Sequence, residues 1–236
     1  MVQSNSYMVR MALGIDPINI LNPVVHLKYD HDSLALELAE QMTRKLGVSG
    51  KAIKEAIHYA LEKQDQFMEE LYNKGREILK AHNPDEAMII VTGRPYNLYD
   101  ERLNLMLGRN LAKIGIAVLP MDFVDVSNVD LSDFPSMYWG LGTRVLKTAK
   151  FIQGRKNFFG LHLTNFGCGP DSFIEHFYKH IMGDKAYLIL ELDEHSAVAG
   201  MMTRLEAYKN VIENSMHKSR MVNDEIRESH RFSVAH

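Results

Sequence analysis

The sequence predicts an α/β fold: a doubly wound, mostly parallel sheet of about five strands with helices on both faces. Three observations predict it. Short apolar runs of strand length alternate with amphipathic stretches along most of the chain. Several of those runs are apolar almost throughout, as strands covered on both faces are. The composition is that of an ordinary globular protein, 46% hydrophobic and 24% charged, and 236 residues can bury a substantial core.

The elements follow in order. Val24–Tyr29 reads as a short strand. Asp32 and Ser33 offer N-caps for a helix over Leu34–Leu46, with Gly47 placed to end it. Ser49 can cap the next helix, whose apolar residues recur at helical spacing from Ile53 to Leu79; Pro84 stops it from continuing. Ala87–Thr92 is a buried-type strand broken by Gly93-Arg94-Pro95-Tyr96. Leu103, Leu107, Leu111 and Ile114 mark a helix ending at Gly115, and Ile116–Pro120 is the next strand. A polar loop runs from Met121 to Ser136. Met137–Gln153 reads as a helix weakened by Gly140 and Gly142. Phe158–Thr164 is a strand, Phe166–Pro170 a tight turn, Asp171–Met182 a helix and Tyr187–Leu192 the last strand. Ser196 caps a helix over Ala197–Asn214.

No linker or repeat divides the chain, so the pattern predicts one domain over 1–215 and a polar tail over 216–236. The formal net charge is −3 with both signs scattered, which argues against nucleic acid as a partner. No apolar run has the length of a bilayer span, and no secretory leader is evident at the N-terminus. The single cysteine points to a reducing compartment, so a cytoplasmic protein is expected. The 14 methionines read as core filling.

In open parallel sheets, ligands bind outside the carboxyl ends of the strands. That rule gathers Gly93–Tyr96, Pro120–Asp122, Asn165–Ser172 and Asp193–Ser196. In the third segment Gly167 and Gly169 flank Cys168 and permit close backbone approach. Pro170 suits the first turn of a helix, whose N-terminus would favour a thiolate at Cys168. The same turn could instead hold an inert small side chain. Arg94 could grip a phosphate or carboxylate, or pair with an acidic neighbour. Glu191, Asp193, Glu194 and His195 form a polar cluster suited to acid–base work or to capping. His176 and His180 share a helix face, but Phe177 stands where the zinc-protease signature needs Glu. No phosphate loop, serine elbow or Cys-x-x-Cys occurs. Gly140-Leu141-Gly142 is followed by Val145 where a dinucleotide fingerprint needs Gly or Ala.

Gly93-Arg94-Pro95-Tyr96 with Asn104, the run Leu163–Phe173 around Cys168, and Leu190–Ser196 with Gly200 and Thr203–Ala207 resemble the acyl-CoA dehydratase activase-related proteins. The likeness extends from about Val2 to Asn214. It implies kinship with the beta subunits of 2-hydroxyacyl-CoA dehydratases, in which cysteine-held iron–sulfur clusters, of the 4Fe–4S kind, pass single electrons in anaerobes. On that resemblance Cys168 is expected to be a cluster ligand, with Gly93, Arg94, Tyr96, Asn165, Gly167, Gly169 and His195 around the cofactor. The family has further cysteines upstream, near where this chain begins. The resemblance therefore implies the C-terminal part of a longer protein, with an upstream domain or partner subunit supplying the other ligands and the cluster incomplete or absent in this chain. It does not carry over ATP hydrolysis, because the phosphate motifs of actin-like activases are missing. The other expectation is a binding or assembly domain without metal, holding an acyl-CoA or a nucleotide.

Overall fold

The computed structural model describes residues 2–26, 30–165 and 169–233. Two compact units divide the chain, Met1–Glu70 and Leu71–His236.

The first unit is helical. Its helices are α1 (Val2–Leu13), α2 (His31–Leu46) and the opening of α3 (Gly50–Ala81), with a 3₁₀ turn at Pro17–Asn19. The N-cap of α2 is Asp30, whose carboxylate accepts from Ser33 N at 2.9 Å, and not Asp32 or Ser33. Gly47 ends α2 in the left-handed conformation at φ 64°, and Ser49 Oγ accepts from Ala52 N at the start of α3, as expected. The strand expected at Val24–Tyr29 does not form over residues 24–26, and residues 27–29 lie outside the described set. A side chain takes the place of a neighbouring strand there: Gln41 accepts from Val24 N at 2.7 Å and donates to Val24 O at 2.9 Å.

The second unit is the α/β domain. Its strands are β1 (Met88–Gly93), β2 (Ala117–Pro120), β3 (Phe158–Asn165) and β4 (Tyr187–Leu192). They form one parallel sheet in the order β2-β1-β3-β4. The sheet therefore has four strands among the described residues, in the α/β class expected. Between the strands lie α4 (Pro95–Tyr99), α5 (Leu107–Lys113), α6 (Gly140–Gln153) and α7 (Gly169–Met182), and α8 (Val198–Ser233) follows the last. Of the polar tail expected over 216–236, residues 216–233 continue α8.

Period-two alternation divides the core into two layers. Met88 and Ile90 of β1 face α6 and α7 through Val145, Leu146, Ile152, Ile174 and Tyr178. Ile89 and Val91 face the other way, with Leu161, Leu163 and Leu190, onto Leu107 and Leu111 of α5 and Met201, Leu205 and Tyr208 of α8. Both faces of β1 and β3 are thus covered, which explains their almost wholly apolar sequence.

Two helix starts differ from the sequence expectation. Helix α5 begins at Leu107 instead of Leu103, because the Asn104 side chain captures local backbone. It donates to the carbonyls of Asn97 and Leu98 and accepts from Leu107 N at 3.2 Å. The chain then turns through Leu105 and Met106, both left-handed at φ 54° and 56°. Helix α6 begins at Gly140, three residues later than the pattern predicts.

Candidate functional site at the carboxyl ends of the central strands

Strand order decides where the site lies. From β1 the chain crosses to β2 on one side, and the next strand, β3, returns to the other side of β1. The crossovers leaving β1 and β3 therefore diverge, and the carboxyl ends of these strands flank the topological switch point, where such sheets bind ligands. Gly93 ends β1 and Asn165 ends β3. A Cβ on Gly93 would stand 2.6 Å from Leu163 O, so this glycine lets the two central strands approach.

Arg94 follows Gly93 and reaches across to α7. Its Nε and Nη2 donate to the two carboxylate oxygens of Asp171 at 3.1 and 2.9 Å, a bidentate pair. Asp171 is buried and also accepts from Thr164 Oγ1 at 3.2 Å. The acidic-neighbour expectation for Arg94 is the one the structure realises. Asp171 thereby locks the first turn of α7 onto the ends of β1 and β3.

Beneath this pair lies a second polar layer. Thr92 Oγ1 and His162 Nδ1 share a hydrogen bond of 2.9 Å. The His162 ring lies 5.3 Å from that of Tyr178, and the Tyr178 hydroxyl sits over Gly160, where any Cβ would collide with it. His162 Nε2 and Tyr178 Oη have no hydrogen-bond partner; the Thr92 hydroxyl is near the phenol but outside bonding geometry. Burial pushes the Tyr178 phenol well above its ordinary pKa. Burial likewise pulls His162 down to about 4, partly offset by the Asp171 carboxylate and reinforced by the Arg94 cation.

The His162 shift has a measurable consequence. The folded chain keeps this imidazole neutral at pH values where the unfolded chain, with the ordinary value of 6.5, binds a proton. The unfolded state then holds more protons, so this contribution is complete above about pH 6.5 and is lost as pH falls toward 4. The expected loss is about 3 kcal/mol between pH 7 and pH 4. Denaturant unfolding across that range should show it, and His162→Gln should flatten the slope.

The remaining expected site residues are dispersed. Tyr96 is half-exposed on α4. Asn165 donates through Nδ2 to Leu192 O at 3.1 Å, tying β3 to the end of β4. Gly169 opens α7, while Gly167 and Cys168 lie outside the described residues. His195 follows the edge strand β4 and is 84% exposed. It lines a cavity of about 340 Å³ with Glu191, Asp193, Ser196 and Arg204, which includes neither Arg94 nor Asn165. The Ser196 hydroxyl is engaged with Asp193, accepting from its N–H and donating to its carboxylate, where the sequence suggests a cap for α8. His176 and His180 are both exposed on α7. Among the described residues, no three His, Cys, Asp or Glu side chains come together as a metal site.

Sequence reasoning missed His162, Thr164 and Asn97 as members of this end, and placed Asp171 there without its pairing to Arg94. Two threonines and a histidine within otherwise apolar strands were the available signal.

An α/β sheet with a polar switch point defines a class of ligand-binding scaffold and no one activity. The family model described as the CoA enzyme activase uncharacterised domain matches residues 1–124, and the chain belongs to that family. The matched stretch holds Arg94 and Asn97 but ends before Asn165, Cys168 and Asp171. No curated protein and no solved structure matches the chain. No helix among the described residues is long and apolar enough to cross a membrane.

Proposed function

We propose that this chain is an electron-transfer component related to the 2-hydroxyacyl-CoA dehydratase and activase system, with Cys168 as one ligand of an iron–sulfur cluster. The observation that carries the reading is positional. Cys168 directly precedes α7, and α7 is held by Asp171 and Arg94 at the switch point between β1 and β3. The described residues do not by themselves fit a cluster. The chain has one cysteine, and no group of three donor side chains forms among the described residues. On this reading the other thiolates come from an upstream domain or a partner subunit, and the chain contributes one ligand and a rigid platform. Arg94 and Asp171 would fix that platform, and Asn165 would hold the end of β3.

Anaerobic iron and sulfide reconstitution of the full gene product, together with its partner, tests this. Cluster absorbance that is lost in Cys168→Ala is the expected result. No cluster absorbance, or absorbance indifferent to that substitution, sinks it.

A second reading is favoured by the unsatisfied polar groups at the same end of the sheet. Here the crevice holds an acyl-CoA or nucleotide with no metal. It predicts thermal stabilisation by such ligands in the presence of chelator.

A further inference from the structure

The first unit holds a cavity of about 250 Å³ where α1, the segment around the 3₁₀ turn and the last turn of α2 meet. Its charged lining is of one sign. Arg10 of α1 and Lys45 of α2 both face it, and no acidic residue does. The other polar residues that line it, Ser6, Tyr7 and Asn22, carry groups that donate hydrogen bonds. The chain as a whole has a formal net charge of −3, so a purely cationic hollow runs against its general character.

The two cations stand differently in the fold. Lys45 Nζ donates to Ile20 O at 2.6 Å and to Pro17 O at 3.4 Å, which pins the turn and leaves one of its three protons for another acceptor. Arg10 is half-buried, and its guanidinium lies 5.8 Å from the centre of the Tyr7 ring, its one interaction among the described residues. Neither cation meets a carboxylate within ion-pair distance among the described residues. Two like charges turned onto one small hollow repel each other, and the turn needs only Lys45. Ser6 precedes Arg10 by one helical turn on the same face of α1, and its hydroxyl has no hydrogen-bond partner.

We infer that this cavity is a binding site for a small oxyanion, either a phosphate group or a pair of carboxylates. Arg10 offers its planar fork to two oxygens, and Lys45 adds a point charge and its remaining proton. The cavity is smaller than the range usual for drug-sized ligands, so the ligand is a small metabolite and not a nucleotide-bearing coenzyme. The site shares no residue with the end of the sheet and depends on neither reading proposed for it.

Calorimetric titration of the full chain at low ionic strength, with inorganic phosphate and separately with succinate, is the test. The expected result is saturable binding of at least one probe with a Kd of about 1 mM or below. Which probe binds identifies whether the ligand presents phosphate or carboxylates. Arg10→Gln should weaken that binding about tenfold or more, the loss of a charge-assisted contact, while the melting temperature stays unchanged. Lys45→Gln should weaken it as well but also lower the melting temperature, because the turn loses its pin; the Arg10 variant therefore decides. Lys63→Gln, which removes an exposed cation of the same unit outside the cavity, should bind as the unmodified chain does. Saturation by neither probe overturns the inference. So does an unchanged affinity in Arg10→Gln, or an equal loss in Lys63→Gln, which would mark a general attraction to charge and no built site.

Discussion

Gly160→Ala is expected to destabilise the chain by about 3 kcal/mol, the upper part of the usual range for overpacking a filled core. Gly160 lies on β3 directly beneath Tyr178. The added methyl would fall on the Tyr178 hydroxyl and come within 3.3 Å of Met182 Cε. Neither neighbour has room to retreat, because Tyr178 and Met182 are both buried between the sheet and α6. Relief would require α7 to lift from β3, and α7 carries Asp171. The melting temperature should therefore fall by roughly 6–12 °C. Tyr178→Phe supplies the control. Its hydroxyl has no partner, so its removal should be neutral or stabilising. In the double variant the nearest ring carbon would lie 3.3 Å from the new methyl, close but tolerable. The two changes should then be strongly non-additive, with Tyr178→Phe recovering most of the Gly160→Ala loss. Simple additivity in denaturant unfolding would show that the hydroxyl is not the obstacle.

Asp171→Ala is expected to cost about 3 kcal/mol as well, by breaking a largely buried ion pair from one side. The carboxylate accepts both arms of the Arg94 fork and the Thr164 hydroxyl. Its removal strips the guanidinium of its bidentate partner and frees the first turn of α7. Asp171→Asn should lose less than half as much, because the amide oxygen can still accept from Arg94. Arg94→Ala should be at least as harmful as Asp171→Ala, since the carboxylate it would strand is 4% exposed while Arg94 itself is 23% exposed. Thermal unfolding of the three variants gives the order. Equal stability of Asp171→Ala and the unmodified chain would mean that the pair does not hold α7 in place.

These residues also show what could be read in advance. The strands β1, β3 and β4 were legible because a strand covered on both faces must be apolar along its length. Gly47 as a helix stop and Ser49 as a cap were legible because both act within one turn of backbone. The switch-point end was partly legible: Arg94 and Asn165 stand out as polar residues at strand ends. Their partners did not stand out. Asp171 is 77 positions from Arg94, and His162 is 70 positions from Thr92. Nothing local marks either pairing. Residues 24–26 of the strand expected at Val24–Tyr29 stay irregular for the same reason: the residue types suit a strand, but the Val24 backbone meets the Gln41 side chain.

Periodicity and local backbone chemistry by themselves determined that this protein is α/β, where most of its helices and strands fall, and that a glycine-flanked cysteine precedes α7. Tertiary structure alone decided the rest. The strand order β2-β1-β3-β4 places the switch point between β1 and β3. The packing of α7 turns Asp171 from a surface-type residue into the buried anchor of Arg94. The physical reason is that pattern reports only which face of an element avoids water. Which polar groups end up opposed, satisfied or left without a partner depends on contacts between segments distant in sequence, and those contacts define the candidate site.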